Sequence, residues 1–145
     1  LTVTKAVAAY CDPVTFNNNP KLVPGAYARY TITLANSATA ATSATLGEVA
    51  DTLVTQLGFD PNLVAASASS CSTPTSAAGK GVRVSCTGGT RACATTPIYL
   101  DTSTTVTGQN ISVNLGTVLP VEAGYTAGQL KPGESVQVIF NAIVQ

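Results

Sequence analysis

The chain has 145 residues, 45% hydrophobic and only 10% charged, with seven Lys and Arg balancing seven Asp and Glu. Zero net charge leaves no basic face for nucleic acid or an acidic membrane surface, so both are excluded as partners. The absence of His excludes Ser-His-Asp and Cys-His catalysis, and no run approaches the ~18 apolar residues of a membrane helix.

One domain is expected over 1–145, with a first strand at 1–9, a linker loop at 10–25 and a sandwich body at 26–145. Leu1 to Ala9 alternates: Leu1, Val3, Lys5 and Val7 fall on one face, and Thr2, Thr4, Ala6 and Ala8 on the other. The stretch from Tyr10 to Gly25, with Cys11, Asn17-Asn18-Asn19 and several prolines, is long for a link inside a compact domain and reads as a flexible connection. Ala26 to Asn36 is the clearest strand, with Tyr30, Ile32 and Leu34 opposed to Arg29, Thr31 and Thr33. A further strand is expected over Thr42 to Val49. A short helix or turn is expected over Asp51 to Leu57, because Leu53, Val54 and Leu57 share a helical face. A turn at Phe59 to Asn62, a strand from Leu63 to Ser69 and a loop from Ser70 to Gly81 follow. Val82 to Cys86, Ile98 to Leu100 and Asn110 to Gly116 alternate as strands, and Val118 to Gly133 is a second long connection. Pro132-Gly133 launches the last strand. Its Val136, Val138, Phe140, Ala142 and Val144 share one face and Ile139 and Ile143 lie on the other, so cover on both sides is expected. About eight strands with short turns give an all-β fold of two packed antiparallel sheets, a Greek-key sandwich.

Cys11, Cys71, Cys86 and Cys93 are separated by 59, 14 and 6 residues and contain no C-x2-C pair, so two disulfides are expected rather than a zinc site. Three pairings are possible. The short Cys86-to-Cys93 gap, with Gly88-Gly89, suits a small closed loop and would leave Cys11 for Cys71. Disulfides place the chain in an oxidising, extracytoplasmic compartment. The chain contains no Met, and Leu1 is expected to be the mature N-terminus left when a signal peptide is removed.

The strings LTVTKAV, PGAYARYTITLANSATAAT, LGEVADTL, VNLGTVLP and LKPGESVQVIF resemble, in order and spacing, the conserved repeat domain found in tandem on prokaryotic cell-surface proteins. The parts that carry the likeness are Lys5, Pro24-Gly25, Tyr30 to Asn36, Asp51-Thr52-Leu53 and Pro132 to Val136. It fails between about Ser70 and Gln109, where the cysteines lie, and over Val118 to Gln129. The resemblance implies an immunoglobulin-like or jelly-roll-type sandwich at the cell surface and supplies no catalytic residues.

No enzyme, cofactor or metal is expected. Seven carboxylates are scattered, and Asp51, Asp60 and Asp101 lack the D-x-D-x-D-G spacing of a calcium loop. Gly88-Gly89 is a turn rather than a phosphate cradle. Asn110-Ile111-Ser112 is a glycosylation sequon, and Thr102 to Thr107 is a candidate for O-linked sugar. Lys5 on the first strand and Asn141 on the last are a candidate isopeptide pair, with Glu48 or Asp51 as the assisting acid.

A neutral, Thr- and Ser-rich surface with few Lys to blunt its sheet edges favours contact with further protein. The expected partner is a copy of the chain itself. The N-terminal strand, with Leu1, Val3, Lys5 and Val7 as the inserted row, would fill a groove of the next subunit head to tail, giving an open filament of pilus or fimbria type. The logic is similar to that of TasA-type biofilm-fibre subunits and archaeal bundling pili. The alternatives are a non-polymerising adhesin or S-layer repeat module, and a secreted carbohydrate-binding or inhibitory domain that takes surface glycans.

Overall fold

The computed structural model describes residues 1–73 and 79–145. Among them the strands are β1 (Thr2–Cys11), β2 (Tyr27–Ala35), β3 (Ala44–Thr45), β4 (Glu48–Thr52), β5 (Leu57–Phe59), β6 (Ala65–Ala66), β7 (Cys71–Ser72), β8 (Val82–Thr87), β9 (Ile98–Leu100), β10 (Val106–Thr107), β11 (Asn110–Asn114), β12 (Gln129–Leu130) and β13 (Ser135–Val144). Two single-turn helices, α1 (Thr102–Thr105) and α2 (Leu115–Val118), interrupt them.

The last strand organises the fold. β13 pairs antiparallel with β2 on one side, and with β8 and then β5 on the other. Val136, Val138, Phe140 and Ala142 are buried on one face, and Ile139 and Asn141 on the other. The expectation of a strand covered on both sides therefore holds. The large sheet runs β1-β2-β13-β8-β9, and β10-β11-β4 with the β12-β3 pair forms the opposing layer. Ile32, Leu34, Val82, Val84 and Phe140 from the first layer meet Leu46, Leu53, Ile111, Val113, Leu115 and Leu130 from the second in one continuous core. Tyr30 stacks on Phe140 at 5.0 Å between ring centroids. The fold is an all-β sandwich.

The reverse face of the large sheet is covered by the segment 60–72. Leu63 packs on Ile139 and Tyr99. Buried Asn141 accepts from Arg29 Nε at 3.0 Å and donates to Asp60 Oδ2 and the Val64 carbonyl, so its amide is satisfied where water is excluded. The Asp60 carboxylate accepts from the Asn62 and Val64 N–H groups and shapes the turn, in which Leu63 takes φ +46°. That turn confines the strand expected over Leu63 to Ser69 to Ala65–Ala66.

Other expectations shift for local reasons. The strand expected over Thr42 to Val49 divides at Leu46-Gly47, where the chain crosses from β12 to β11: Leu46 N–H bonds to Gly128 and Leu115 N–H to Gly47. No helix forms from Asp51 to Leu57. Asp51 and Thr52 stay paired in β4, Leu53 enters the core, and Leu57 N–H closes a turn on Val54. At Thr102–Thr105 the Thr105 hydroxyl bonds back to the Asp101 carbonyl and the chain makes one helical turn. Part of the loop expected from Ser70 to Gly81 lies outside the described residues.

Both disulfides follow the pairing suggested by the short loop, Cys11–Cys71 and Cys86–Cys93. The second long connection folds down on the Cys86–Cys93 loop through Arg91. Its guanidinium, 2% exposed, donates to the carbonyls of Pro120, Thr126 and Gln129 and pairs with Glu122 at 2.7 Å. Glu122 is held below the usual carboxylate range, chiefly by accepting the Ala92 N–H. Tyr125 donates to buried Glu134 beside the same loop.

Candidate functional site

The first strand is the outermost member of the large sheet and rests on β2 alone. Its register runs from Thr2↔Ala35 to Ala9↔Ala28 and then slips, so that Cys11 faces Tyr27 and Tyr10 forms a bulge. Leu1 to Ala8 are all exposed, on both faces of the strand. Leu1, Val3 and Val7 keep 63%, 60% and 54% of their surface open, although their side chains are apolar.

Cross-strand partners share a face. Val3, Lys5 and Val7 therefore point to the same side as Leu34, Ile32 and Tyr30, which is the core side. The opposing layer stops short of them. Its nearest reach is Asp51 on β4, whose Oδ1 accepts from Lys5 Nζ at 2.7 Å and from the Thr52 N–H at 3.0 Å. The same ammonium lies 5.1 Å from the centroid of the Tyr30 ring. Asp51 Oδ2 is buried without a hydrogen-bond partner. Among the described residues, Lys5 is the one side chain of the first eight that makes a hydrogen bond to the body.

The root of the strand is built differently. The Arg29 guanidinium stacks 3.4 Å over the Tyr10 ring, and Tyr10 Oη accepts from the Ala66 N–H. Burial lowers the pKa of that guanidinium. Cys11 is fully buried and bonded to Cys71. Next to it the Asp12 carboxylate accepts from Val14 N–H, Thr15 N–H, the Thr15 hydroxyl and Lys21 N–H. These donors hold its pKa far below the ordinary 3.8. The segment 10–25 is thus not the flexible connection expected from its length; it folds around Asp12, and Gly25 N–H ties it to Val144.

The other candidate residues fall apart in space. Lys5 faces Ile32 and, through it, Val138, whereas Asn141 aligns with Arg29 and Ala8 on the reverse face of the sheet. The isopeptide pairing of Lys5 with Asn141 is therefore corrected: a sheet separates the two side chains. Glu48 points outward and accepts from the Ser112 hydroxyl. Asp101 pairs with Lys80 at 3.2 Å, and among the described residues no three Cys, Asp or Glu converge on a metal position. Asn110 is exposed at the start of β11, where its Oδ1 accepts from the Thr52 hydroxyl. Gly88 and Gly89 take φ +77° and +66° and form the turn of the small disulfide loop.

The Asp12 knot and the Arg91 clamp escaped sequence reasoning. Asp12 gathers donors from its own loop, at two, three and nine residues along the chain, whereas Arg91 gathers carbonyls about 30 to 40 residues away, a pattern with no local spacing. Comparison of the chain with family models, with curated proteins and with solved structures finds no match.

Proposed function

We propose that the protein is the structural subunit of an extracellular filament, polymerised head to tail by exchange of the strand Leu1 to Ala9. The observation that carries this reading is the contrast along β1: eight exposed residues held by β2 above a root fixed by a disulfide, a stacked arginine and an ordered loop. Leaving its own domain costs the strand little side-chain burial, and it uncovers the edge of β2 with Tyr30, Ile32 and Leu34 behind it. A neighbour's strand would restore the same main-chain bonds, so exchange conserves the contacts and adds none that must be newly designed. Donor and acceptor are different surfaces, so when each chain gives its strand to the next one rather than back to its own donor, the contact propagates. Two disulfides fit an oxidising exterior, and secretion is part of this proposal.

Negative-stain microscopy of the purified chain tests it. Filaments are expected for the full chain and none for a chain without residues 1–9, which must still show the β-rich circular dichroism of a folded or partly folded body. Filaments from the truncated chain would sink the reading.

One observation favours the alternative of a non-polymerising surface module. β1 already pairs with its own β2 over nine positions, and Lys5 is an inward-pointing charge of the kind that blunts free edges. A full chain that stays monomeric at high concentration would select this reading.

A further inference from the structure

The apolar pattern of β1 leaves its register loosely defined. Thr2, Thr4, Ala6 and Ala8 on one face, and Leu1, Val3 and Val7 on the other, still alternate correctly after a slip of two residues. Lys5 breaks that degeneracy. In the observed register its ammonium meets the Asp51 carboxylate at 2.7 Å and the Tyr30 ring at 5.1 Å. A two-residue slip would carry the ammonium roughly 7 Å along the strand, since each residue advances ~3.3–3.4 Å. It would also set a valine over Asp51, whose Oδ2 already lacks a hydrogen-bond partner.

Resting on the strand-exchange reading, we infer that Asp51 is the docking point of the acceptor edge, and that the group it takes is the Lys5 ammonium of a second copy of this chain. An acceptor whose own β1 has left presents an apolar row, Tyr30, Ile32 and Leu34, crossed by one anion held by β4. The complementary donor is a strand with apolar residues two positions before and after a single cation, as in Val3-Thr4-Lys5-Ala6-Val7. The charge pair thus selects both partner and register, which is the usual contribution of interface charges.

The test uses full-length chains carrying Lys5→Glu or Asp51→Lys. Alone, each sets like charges together at every junction, and its critical concentration for filament formation is expected to rise about tenfold or more. Mixed in equal amounts, the two are expected to assemble near the wild-type concentration: Glu at position 5 of one chain meets Lys at position 51 of the other, and Lys5 of the second meets Asp51 of the first. The product is an alternating copolymer, countable by mass labelling of one chain. Single variants that assemble like the wild type would overturn the role of the pair while leaving strand exchange standing. A wild-type chain without filaments would overturn the underlying reading itself. A double variant, Lys5→Glu with Asp51→Lys, that assembles while the mixture does not would show that the pair acts only within one chain, against the inference. Thermal melting checks that each variant folds. If the charge reversals do not, Lys5→Gln is used, with an expected rise of about threefold or more; no rise overturns the inference.

Discussion

Removing the two disulfides separately should destabilise the protein very unequally. The Cys11–Cys71 bridge joins residues 60 apart, and Cys86–Cys93 joins residues 7 apart. If a cross-link acts mainly by restricting the unfolded chain, the entropy it removes grows with the logarithm of the loop it closes. That gives about 4 kcal/mol for the long loop and about 2.4 kcal/mol for the short one. Alanine suits the replacement, because Cys11, Cys86 and Cys93 are buried and a serine hydroxyl would add its own penalty. The assay is guanidinium unfolding followed by circular dichroism, comparing Cys11→Ala/Cys71→Ala with Cys86→Ala/Cys93→Ala. The first variant should lose about 2 kcal/mol more than the second, and its Tm should fall by about 8–16 °C, given about 2–4 °C per kcal/mol for a domain of this size. The comparison cancels most of the local packing loss. An equal or greater loss for the short-loop variant would refute the loop-entropy account. It would mean that the Cys86–Cys93 bridge acts by holding Arg91 and its partners in place.

Three further outcomes follow from particular contacts. Phe140→Ala empties the centre of the core and ends the stacking on Tyr30, so thermal melting should report a loss of about 3–5 kcal/mol. Arg91→Met leaves the carbonyls of Pro120, Thr126 and Gln129 without their buried donor, while the solvent-accessible Glu122 can turn to water, and should cost about 2 kcal/mol in chemical unfolding; Arg91→Lys should not restore it, because a single ammonium cannot serve acceptors spread around a planar guanidinium. Asp12 and Glu122 both titrate lower in the folded chain than their ordinary 3.8 and 4.5. Their stabilisation is therefore complete above those values and is lost as pH falls below them toward the folded pKa values. Melting midpoints should be level from neutral pH down to about 5 and then decline. Asp12→Asn should melt lower at neutral pH and decline less steeply in acid.

The sequence made the long elements legible because each carries its own alternation. β2 and β13 emerge within a residue or so of their expected ends, and the face assignments of Tyr30, Ile32, Leu34 and Phe140 hold. The short elements were illegible for a physical reason. At Leu46-Gly47 the strand changes sheets under the pull of Gly128 and Leu115, partners more than sixty residues away. The turn Leu115–Val118 did leave a local sign, since Asn114 caps it by accepting the Thr117 N–H, but a strand of NISVNLG type hides a cap at its end. Of the candidate edge, the row Leu1, Val3, Lys5 and Val7 could be written from the pleat alone. The partner of Lys5 could not, because Asp51 reaches it from the other layer.

The position of Cys11 also decides where a mechanical load would go. A pull applied at Leu1 is carried by the β1–β2 hydrogen bonds as far as Ala9, and at the next pairing it meets a covalent bond. Beyond that point tension divides: part follows the main chain into the Asp12 loop, and part passes through sulfur to Cys71, in the segment that covers the reverse face. Traction on the end of the chain therefore cannot lengthen the enclosed loop of residues 12–70 while the Cys11–Cys71 bond is intact.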